Sequence, residues 1–523
     1  MINFQLHRLQ GFVGEGDSHL PQIIQGLKQL LRKTSKLLKY KTLQLTNKNL
    51  EELSSVLVEF AEDIHNDIGI WSSYEKYNSA LFGTRLPLTQ RSNEAIENNT
   101  IDKHRVHHLL WVLYSELDED LILSPLHQDL FLLAETISGF LKERFSEVPR
   151  DSGLKTFLAQ PEKYGWDVKK KLVWLGQHSY LFRHHFKNYI RNKGGKPDIP
   201  TIDDFICQET TSWSGLGVID ILAVILNITE KQQTTLRNWY ERHWAYYKVL
   251  SIKGPIIEAI NLINNKPYTI RAGEFSDNFK VNQVIFAGLL PWDGEWYFSG
   301  AQHTLNKITE AEIPQLRNEF IQEASSIVYR YHNQLAERAK ESMKVHYKEF
   351  VEYHGEDLII YPDGLSMAAD QQKQYRLQYE SKPEEVLADH LRKHNLQNPW
   401  PRMSYPPHLL ENENGIGVYY NPNEGQEVME EFNDVVNGLK KKGNNLTEDE
   451  KEMIEDFIRS DAISPSFVRK MVEKYGDESI ASAFLIKNNQ DIYFLDYLLH
   501  RYKGHFYRNR YPSISFKLDD IEK

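Results

Sequence analysis

The sequence predicts a mainly α-helical, multidomain protein with a small central antiparallel β module, so that the chain is α+β overall. First, its 523 residues exceed the roughly 250–300 residues at which a single hydrophobic core stops growing. Second, apolar residues recur at the helical period over most of the chain. Third, that period gives way to runs of aromatic and β-branched residues between residues 266 and 305.

The first predicted domain is helical and covers residues 1–152. Apolar side chains recur at helical spacing from Ile23 to Leu38 and again from Leu50 to Ile64, and Thr46 is a suitable N-cap for the second stretch. Turn-forming residues after Pro149 then predict a boundary.

A second helical domain is predicted at 153–265. Trp166 to Ile190 forms one long periodic stretch, and residues 192–197 have the composition of a linker. Thr229 and Gln232 have the spacing of a capping box, which predicts a helix that runs on through residues 244–247.

The predicted β module covers 266–305. Strand-like runs occur at 268–271, 284–287 and 295–298, and Asp293-Gly294 lies between the last two. Because this dipeptide is typical of a two-residue hairpin turn, we expect the second and third runs to pair.

Residues 306–425 are predicted to be a mixed α/β segment, with short strands at 357–361 and 417–420. Residues 426–523 are predicted to form a C-terminal helical bundle. Thr447 and Glu450 supply a capping box there, and Ser464-Pro465 begins the next helix.

The composition excludes several classes of protein. Cys207 is the single cysteine, so the chain has neither an intramolecular disulfide nor a zinc site built on paired cysteines. No apolar stretch reaches the roughly 20 residues of a membrane-spanning helix, and the first residues lack a signal-peptide pattern. We expect a cytoplasmic protein without membrane contact. No Walker A loop or nucleophile elbow is present, and we predict no cofactor.

Charge is distributed unevenly along a chain whose net charge is −11. The segments 18–50, 168–197 and 500–517 contain basic residues and no acidic ones, and the last two also carry aromatic residues. If these segments share one face, their potentials add and attract phosphates, while the aromatic rings can stack on bases. The predicted polyanion-binding residues are Lys169, Lys170, Lys171, Arg183, Lys187, Arg501, Lys503, Arg508 and Arg510.

The alternative for these segments is structural. Basic helix faces are commonly solvated, or they pair with acidic helices of the same chain, and aromatic residues at helical spacing commonly belong to the core. The glycine-rich stretch 212–217 has two interpretations as well. Its amides can hold an anion at a helix N-terminus, or it is a tight packing turn, which we favour.

A histidine cluster provides the candidate metal ligands. His104, His107 and His108 lie at i, i+3 and i+4 of a predicted helix, and His127 begins the next one. Imidazoles at that spacing share a helix face and can reach one metal ion. The alternative is that they lie on a polar face beside a buried leucine stripe.

Taken together, these patterns favour a non-enzymatic binding or regulatory protein. We expect its partner to be another protein, and a nucleic acid bound through the segregated basic segments is the leading specific version. The alternative is a metal-assisted hydrolase that uses the histidine cluster.

Overall fold

The computed structural model describes residues 14–36, 38, 39, 43, 46–90, 96–118, 121–263, 265–305, 308, 309, 311–316, 333–394, 397, 403–486 and 493–508. The chain divides into two compact units. The first contains the described residues up to Asn333 together with those of Leu485–Tyr507, and the second contains the described residues of Gln334–Phe484 and Arg508. The chain is mainly helical with two small β regions, as the sequence predicts.

The first unit consists of helices followed by a β barrel. Its helices are α1 (Leu20–Ser35), α2 (Asn47–Asn66), α3 (Ile70–Phe82), α4 (Lys103–Leu117), α5 (Gln128–Phe145), α6 (Gly153–Ala159), α7 (Gly165–His178), α8 (Arg183–Asn192), α9 (Ile199–Gln208), α10 (Val218–Ile225) and α11 (Glu230–Arg237). The predicted Thr46 cap is confirmed, because its side chain accepts a hydrogen bond from the backbone N–H of Asn49. The long stretch predicted from Trp166 is divided into α7 and α8.

The barrel has five strands: β1 (His243–Lys253), β2 (Ile256–Asn261), β3 (Pro267–Arg271), β4 (Val284–Trp292) and β5 (Glu295–Leu305). They follow the order β1-β2-β3-β5-β4, and β1 closes the barrel by pairing with β4. The pairs are antiparallel except β3 with β5, which is parallel. One barrel architecture serves many functions, so this strand order by itself assigns none here.

The predicted hairpin is confirmed, and the predicted helix through residues 244–247 is wrong. Trp292 pairs with Glu295 across Asp293 and Gly294, both of which have positive φ. By contrast, α11 ends at Arg237 and strand β1 begins at His243. Burial alternates along the strand, with Ala245, Tyr247 and Val249 fully buried, and this period of two outweighs the capping signal upstream.

The first unit also includes a helix from the C-terminal part of the chain, α20 (Phe494–Lys503). Gly215, in the turn before α10, has φ +75°, and a Cβ there would collide with the backbone carbonyl oxygen of His500. The glycine-rich stretch is therefore a packing turn against α20, because only glycine allows this approach.

The second unit packs helices around a three-stranded antiparallel sheet. Its helices are α12 (Asn333–His354), α13 (Gly364–Glu380), α14 (Glu384–His394), α15 (Pro407–Glu411), α16 (Phe432–Lys440), α17 (Glu448–Arg459), α18 (Pro465–Tyr475) and α19 (Glu478–Ala483). The sheet order is β6 (Leu358–Tyr361), β7 (Ile416–Asn421), β8 (Gly425–Met429). The predicted capping box at Thr447 and the N-cap at Ser464 are both confirmed.

No helix in the described part of the chain is long and apolar enough to cross a bilayer.

Candidate functional site

The basic residues predicted on α7 and α8 make ion pairs inside the first unit. Arg183 forms two bonds of 2.8 and 3.0 Å with the buried Glu59, and Lys171 lies 2.9 Å from Glu162. Lys169 lies 2.5 Å from the buried Asp203. A guanidinium that is already held by a buried carboxylate is not available to a phosphate.

The two remaining cations of this segment also have acidic partners, but they are more exposed. Lys170 lies 2.8 Å from Asp167, and Lys187 lies 2.9 Å from Glu52. Exposed pairs of this kind contribute little and exchange readily with solvent ions. Polyanion binding through this segment stays a prediction. Of the five basic residues predicted for it, Lys170 and Lys187 are the most exposed.

The predicted cations of the last segment are distributed differently. Arg501 and Lys503 are buried at the end of α20, and Arg508 is half-buried. The Arg501 guanidinium lies over the Trp111 ring, 5.2 Å from its centroid. Arg510 lies outside the described residues.

Two of the predicted metal ligands, His107 and His108, are buried in the core of the first unit. His108 is hydrogen-bonded on both ring nitrogens, to the Tyr74 hydroxyl at 2.6 Å and to the Thr89 hydroxyl at 2.7 Å. Burial lowers its pKa well below the usual range, and nearby His107 and Arg501 lower it further. His107 stacks on Phe131 with ring centroids 4.0 Å apart. These contacts are structural.

The other two predicted ligands lie at helix starts. His104 is in the first turn of α4, and the His127 Nδ1 atom accepts a hydrogen bond from the backbone N–H of Asp129 as the N-cap of α5. Within the described residues, no three His, Cys, Asp or Glu side chains are placed to hold a metal ion. The metal-assisted hydrolase stays a prediction without a described ligand set.

The first unit contains a small, partly open cavity of about 20 Å³, which is room for roughly one or two water molecules. Helix α2 contributes three carboxyl groups to it, and α7 contributes an aromatic ring and an imidazole. One residue each from α3 and α6 and the turns after α2 and α7 complete the wall. We call it the acidic cavity, and its lining residues are Glu59, Glu62, Asp63, Ile68, Ile70, Leu154, Trp174, His178, Ser179 and Tyr180.

Asp63 is the most extensively hydrogen-bonded carboxylate of the acidic cavity. It accepts the backbone N–H groups of Gly69, Ile70 and Trp71, which are the first residues of α3 and the residue before it. It also accepts the Tyr180 hydroxyl at 2.7 Å. Burial nevertheless raises the pKa of Asp63, because these neutral donors only partly replace water around the charge.

The other ionisable residues of the cavity wall are two glutamates and a histidine. Glu59 forms an ion pair with Arg183, and Glu62 is buried. Burial and the nearby Arg183 lower the pKa of His178, so its imidazole is neutral at pH 7. Three of the ten lining residues therefore carry a carboxyl group, and none is a lysine or an arginine.

Trp174 gives the cavity an unused hydrogen-bond donor. Its side chain lines the wall, and the residue is 6% exposed. Its buried indole Nε1 has no hydrogen-bond partner among the residues that the structure describes. Buried polar groups are almost always paired, so this donor indicates a missing acceptor.

Sequence reasoning missed the acidic cavity, although a signal for it was present. Glu59, Glu62 and Asp63 follow the i, i+3, i+4 pattern within a stretch of α2 whose other side chains are apolar or small. Carboxylates within an otherwise apolar stretch of a helix are expected to contact a buried partner or to line a cavity, because burying an isolated charge is costly. The partners of Glu59 and Asp63 that are distant along the chain could not be identified from the sequence, since they come from α8 and from the turn between α7 and α8.

The acidic cavity lies in the part of the chain that matches a protein-family model. A protein-family model described as a protein of unknown function, DUF3843, matches residues 37–198. All ten lining residues of the acidic cavity fall within that stretch. Neither the search of curated proteins nor the search of solved structures found a match. Over residues 37–198, then, the chain is similar to this family.

Proposed function

We propose that the protein is a binding protein that takes a small organic cation, with an oxygen acceptor of its own, into the acidic cavity. The observation that carries the proposal is a wall that combines three carboxyl groups, no lysine or arginine, and an indole N–H at Trp174 without an acceptor among the described residues. A protonated amine is attracted to the carboxylates, and a hydroxyl or carbonyl oxygen accepts from Trp174.

The size of the cavity restricts the ligand. Its volume of about 20 Å³ is far below the roughly 300–1,000 Å³ of drug-sized ligand sites, so the wall residues must move apart to admit anything larger than one or two water molecules. Ile68, Ile70 and Leu154 supply an apolar wall, and Tyr180 supplies an aromatic one. Such a mixture, with few polar groups, is typical of sites that orient a ligand.

This proposal keeps the predicted class of binding protein and changes the ligand. The ion pairs of Lys169, Lys171 and Arg183 favour a structural role for the buried part of the second basic segment. A protein or nucleic-acid partner stays a prediction. It can be tested by substituting the exposed cations of that segment, Lys170 and Lys187.

The test compares three probes of similar size by calorimetry and thermal shift. Ethanolamine carries both the amine and an oxygen acceptor, ethylene glycol lacks the charge, and propylamine lacks the acceptor. We expect ethanolamine to bind and to raise the melting temperature most, because ligands that bind only the native state stabilise it. Equal responses to ethanolamine and ethylene glycol would contradict a cation site.

Two tryptophan variants separate binding from stability. Trp174→Phe keeps an aromatic ring and removes a donor without a described partner, so we expect about fivefold weaker ethanolamine binding and an unchanged melting temperature. Trp239→Phe removes a donor that bonds to the Pro291 carbonyl at 2.7 Å, so it lowers the melting temperature and leaves binding unchanged. If Trp174→Phe bound ethanolamine as tightly as the wild type, the indole would have no role.

A further inference from the structure

A second polar cluster in the first unit lies outside the acidic cavity and consists of Glu116, His185 and Ser212. Glu116 is at the end of α4, His185 is in the first turn of α8, and Ser212 is in the turn before α10. The Ser212 hydroxyl lies 2.9 Å from His185 Nε2, which lies 3.1 Å from Glu116 Oε1. The same hydroxyl donates to that carboxylate oxygen. We call these three residues the serine cluster.

Burial is graded across the serine cluster. The Glu116 side chain is 8% exposed and that of His185 is 16% exposed, while Ser212 is half-buried. Glu116 Oε2 and His185 Nδ1 are buried without a hydrogen-bond partner among the described residues. Unsatisfied buried groups in a native protein need an explanation, and a catalytic role is one.

The charge of Glu116 is maintained by its neighbours. Burial raises the pKa of this carboxyl, but His185, His184 and Ser212 outweigh burial and lower it overall. The group is therefore a carboxylate at neutral pH. An anion beside an imidazole stabilises the imidazolium that forms when the ring accepts a proton.

We infer that Ser212 is a nucleophile for acyl transfer, with a carboxylic ester as the substrate class. The Ser212 hydroxyl turns from Glu116 to His185 Nε2, in the tautomer whose ring proton is on Nδ1, and the serine oxygen attacks the ester carbonyl carbon while its proton passes to Nε2. The tetrahedral intermediate collapses, and the leaving alcohol takes the proton from Nε2. Water then attacks the acyl-serine, gives a proton to the same nitrogen, and the acid leaves as the serine recovers its proton.

Ser212 and His185 are the catalytic residues of this scheme, and Glu116 is a positioning residue. In most catalytic triads the acid holds the nitrogen opposite the serine, whereas here both contacts fall on Nε2. Glu116 therefore acts by charge on the imidazolium and by holding the hydroxyl. Its substitution should change the pH dependence of the reaction rather than only its rate.

A fluorophosphonate probe tests the inference on the full-length protein. Its phosphorus is attacked by the serine oxygen and fluoride leaves, so peptide mass spectrometry locates the adduct. We expect the adduct on Ser212 in the wild type, its loss in Ser212→Ala, and labelling about 100-fold slower in His185→Gln. Glu116→Gln should shift the pH profile of labelling. The matched control is Ser214→Ala, because Ser214 is fully buried two residues away and should not affect labelling.

A thiol variant keeps the test decisive if the alanine variant misfolds. Cys207 is fully buried, and burial raises its pKa to about 12, so it is inert to iodoacetamide at neutral pH. In Ser212→Cys, His185 should make the new thiol react at least tenfold faster at pH 7 than free cysteine. Absence of a fluorophosphonate adduct on Ser212 in folded wild type, or ordinary thiol reactivity in Ser212→Cys, would overturn the inference.

Discussion

Asp63 and Glu116 are two buried carboxylates of the same unit whose pKa values move in opposite directions. Asp63 accepts three backbone N–H groups and one tyrosine hydroxyl, and burial raises its pKa. For Glu116, burial is outweighed by two histidines and a serine, and the pKa is lowered. Asp63 has described partners on both oxygens, whereas Glu116 Oε2 has none among the described residues.

The difference shows how a carboxylate acts once it is buried. Neutral donors fix the position of Asp63, and its carboxylate accepts the first N–H groups of α3, so this group mainly holds the turn between α2 and α3. Titratable neighbours fix the charge of Glu116, so that group is coupled to proton transfer. Hydrogen-bond partners, more than burial, separate the structural carboxylate from the candidate for chemistry.

The largest expected effect is on stability at Asp63. In Asp63→Asn the amide nitrogen cannot accept, so the Trp71 N–H and the Tyr180 hydroxyl lose their acceptor. We expect the free energy of unfolding to fall by about 3 kcal/mol in urea denaturation. The matched control is Asp67→Asn, at an exposed residue with φ +52°, which should change stability by less than about 0.5 kcal/mol. Equal costs for both variants would refute the structural role.

A smaller effect is expected in the pH dependence of stability at Glu116. A lowered pKa in the folded state stabilises the protein above the unfolded value of about 4.5, and this stability is lost as the pH falls through the folded value. Glu116→Gln should therefore show a shallower loss of unfolding free energy in acid, by about 1 kcal/mol. Denaturation series between pH 3 and pH 7 provide the measurement. If the pH dependence of the unfolding free energy were unchanged in Glu116→Gln, the neighbours of Glu116 would not stabilise its charged form.

The smallest effect is expected for the exposed cations of the second basic segment. Lys170→Glu and Lys187→Glu reverse charges that already have acidic partners. In a low-salt gel-shift series with single-stranded DNA, we expect the double variant to bind less than about threefold more weakly than the wild type. A loss of tenfold or more would support the nucleic-acid prediction and show that these pairs open to phosphates.

Local features of this chain could be predicted from the sequence, because their causes lie within a few residues. The Thr46 and Ser464 caps, the Thr447 capping box and the Asp293-Gly294 hairpin are all present where their residue types predict them. Strand β1 was missed, because burial inside the barrel decided its conformation.

The sequence by itself determined the mainly helical class, the positions of many element ends and the absence of any disulfide within the chain. Tertiary structure decided what the charged residues do. Arg183 binds Glu59 although the two residues are 124 positions apart in the sequence, and Ser212 binds Glu116 across 96 positions. Electrostatic and hydrogen-bonding partners depend on distance in space, and a one-dimensional pattern contains that distance only for neighbours along the chain.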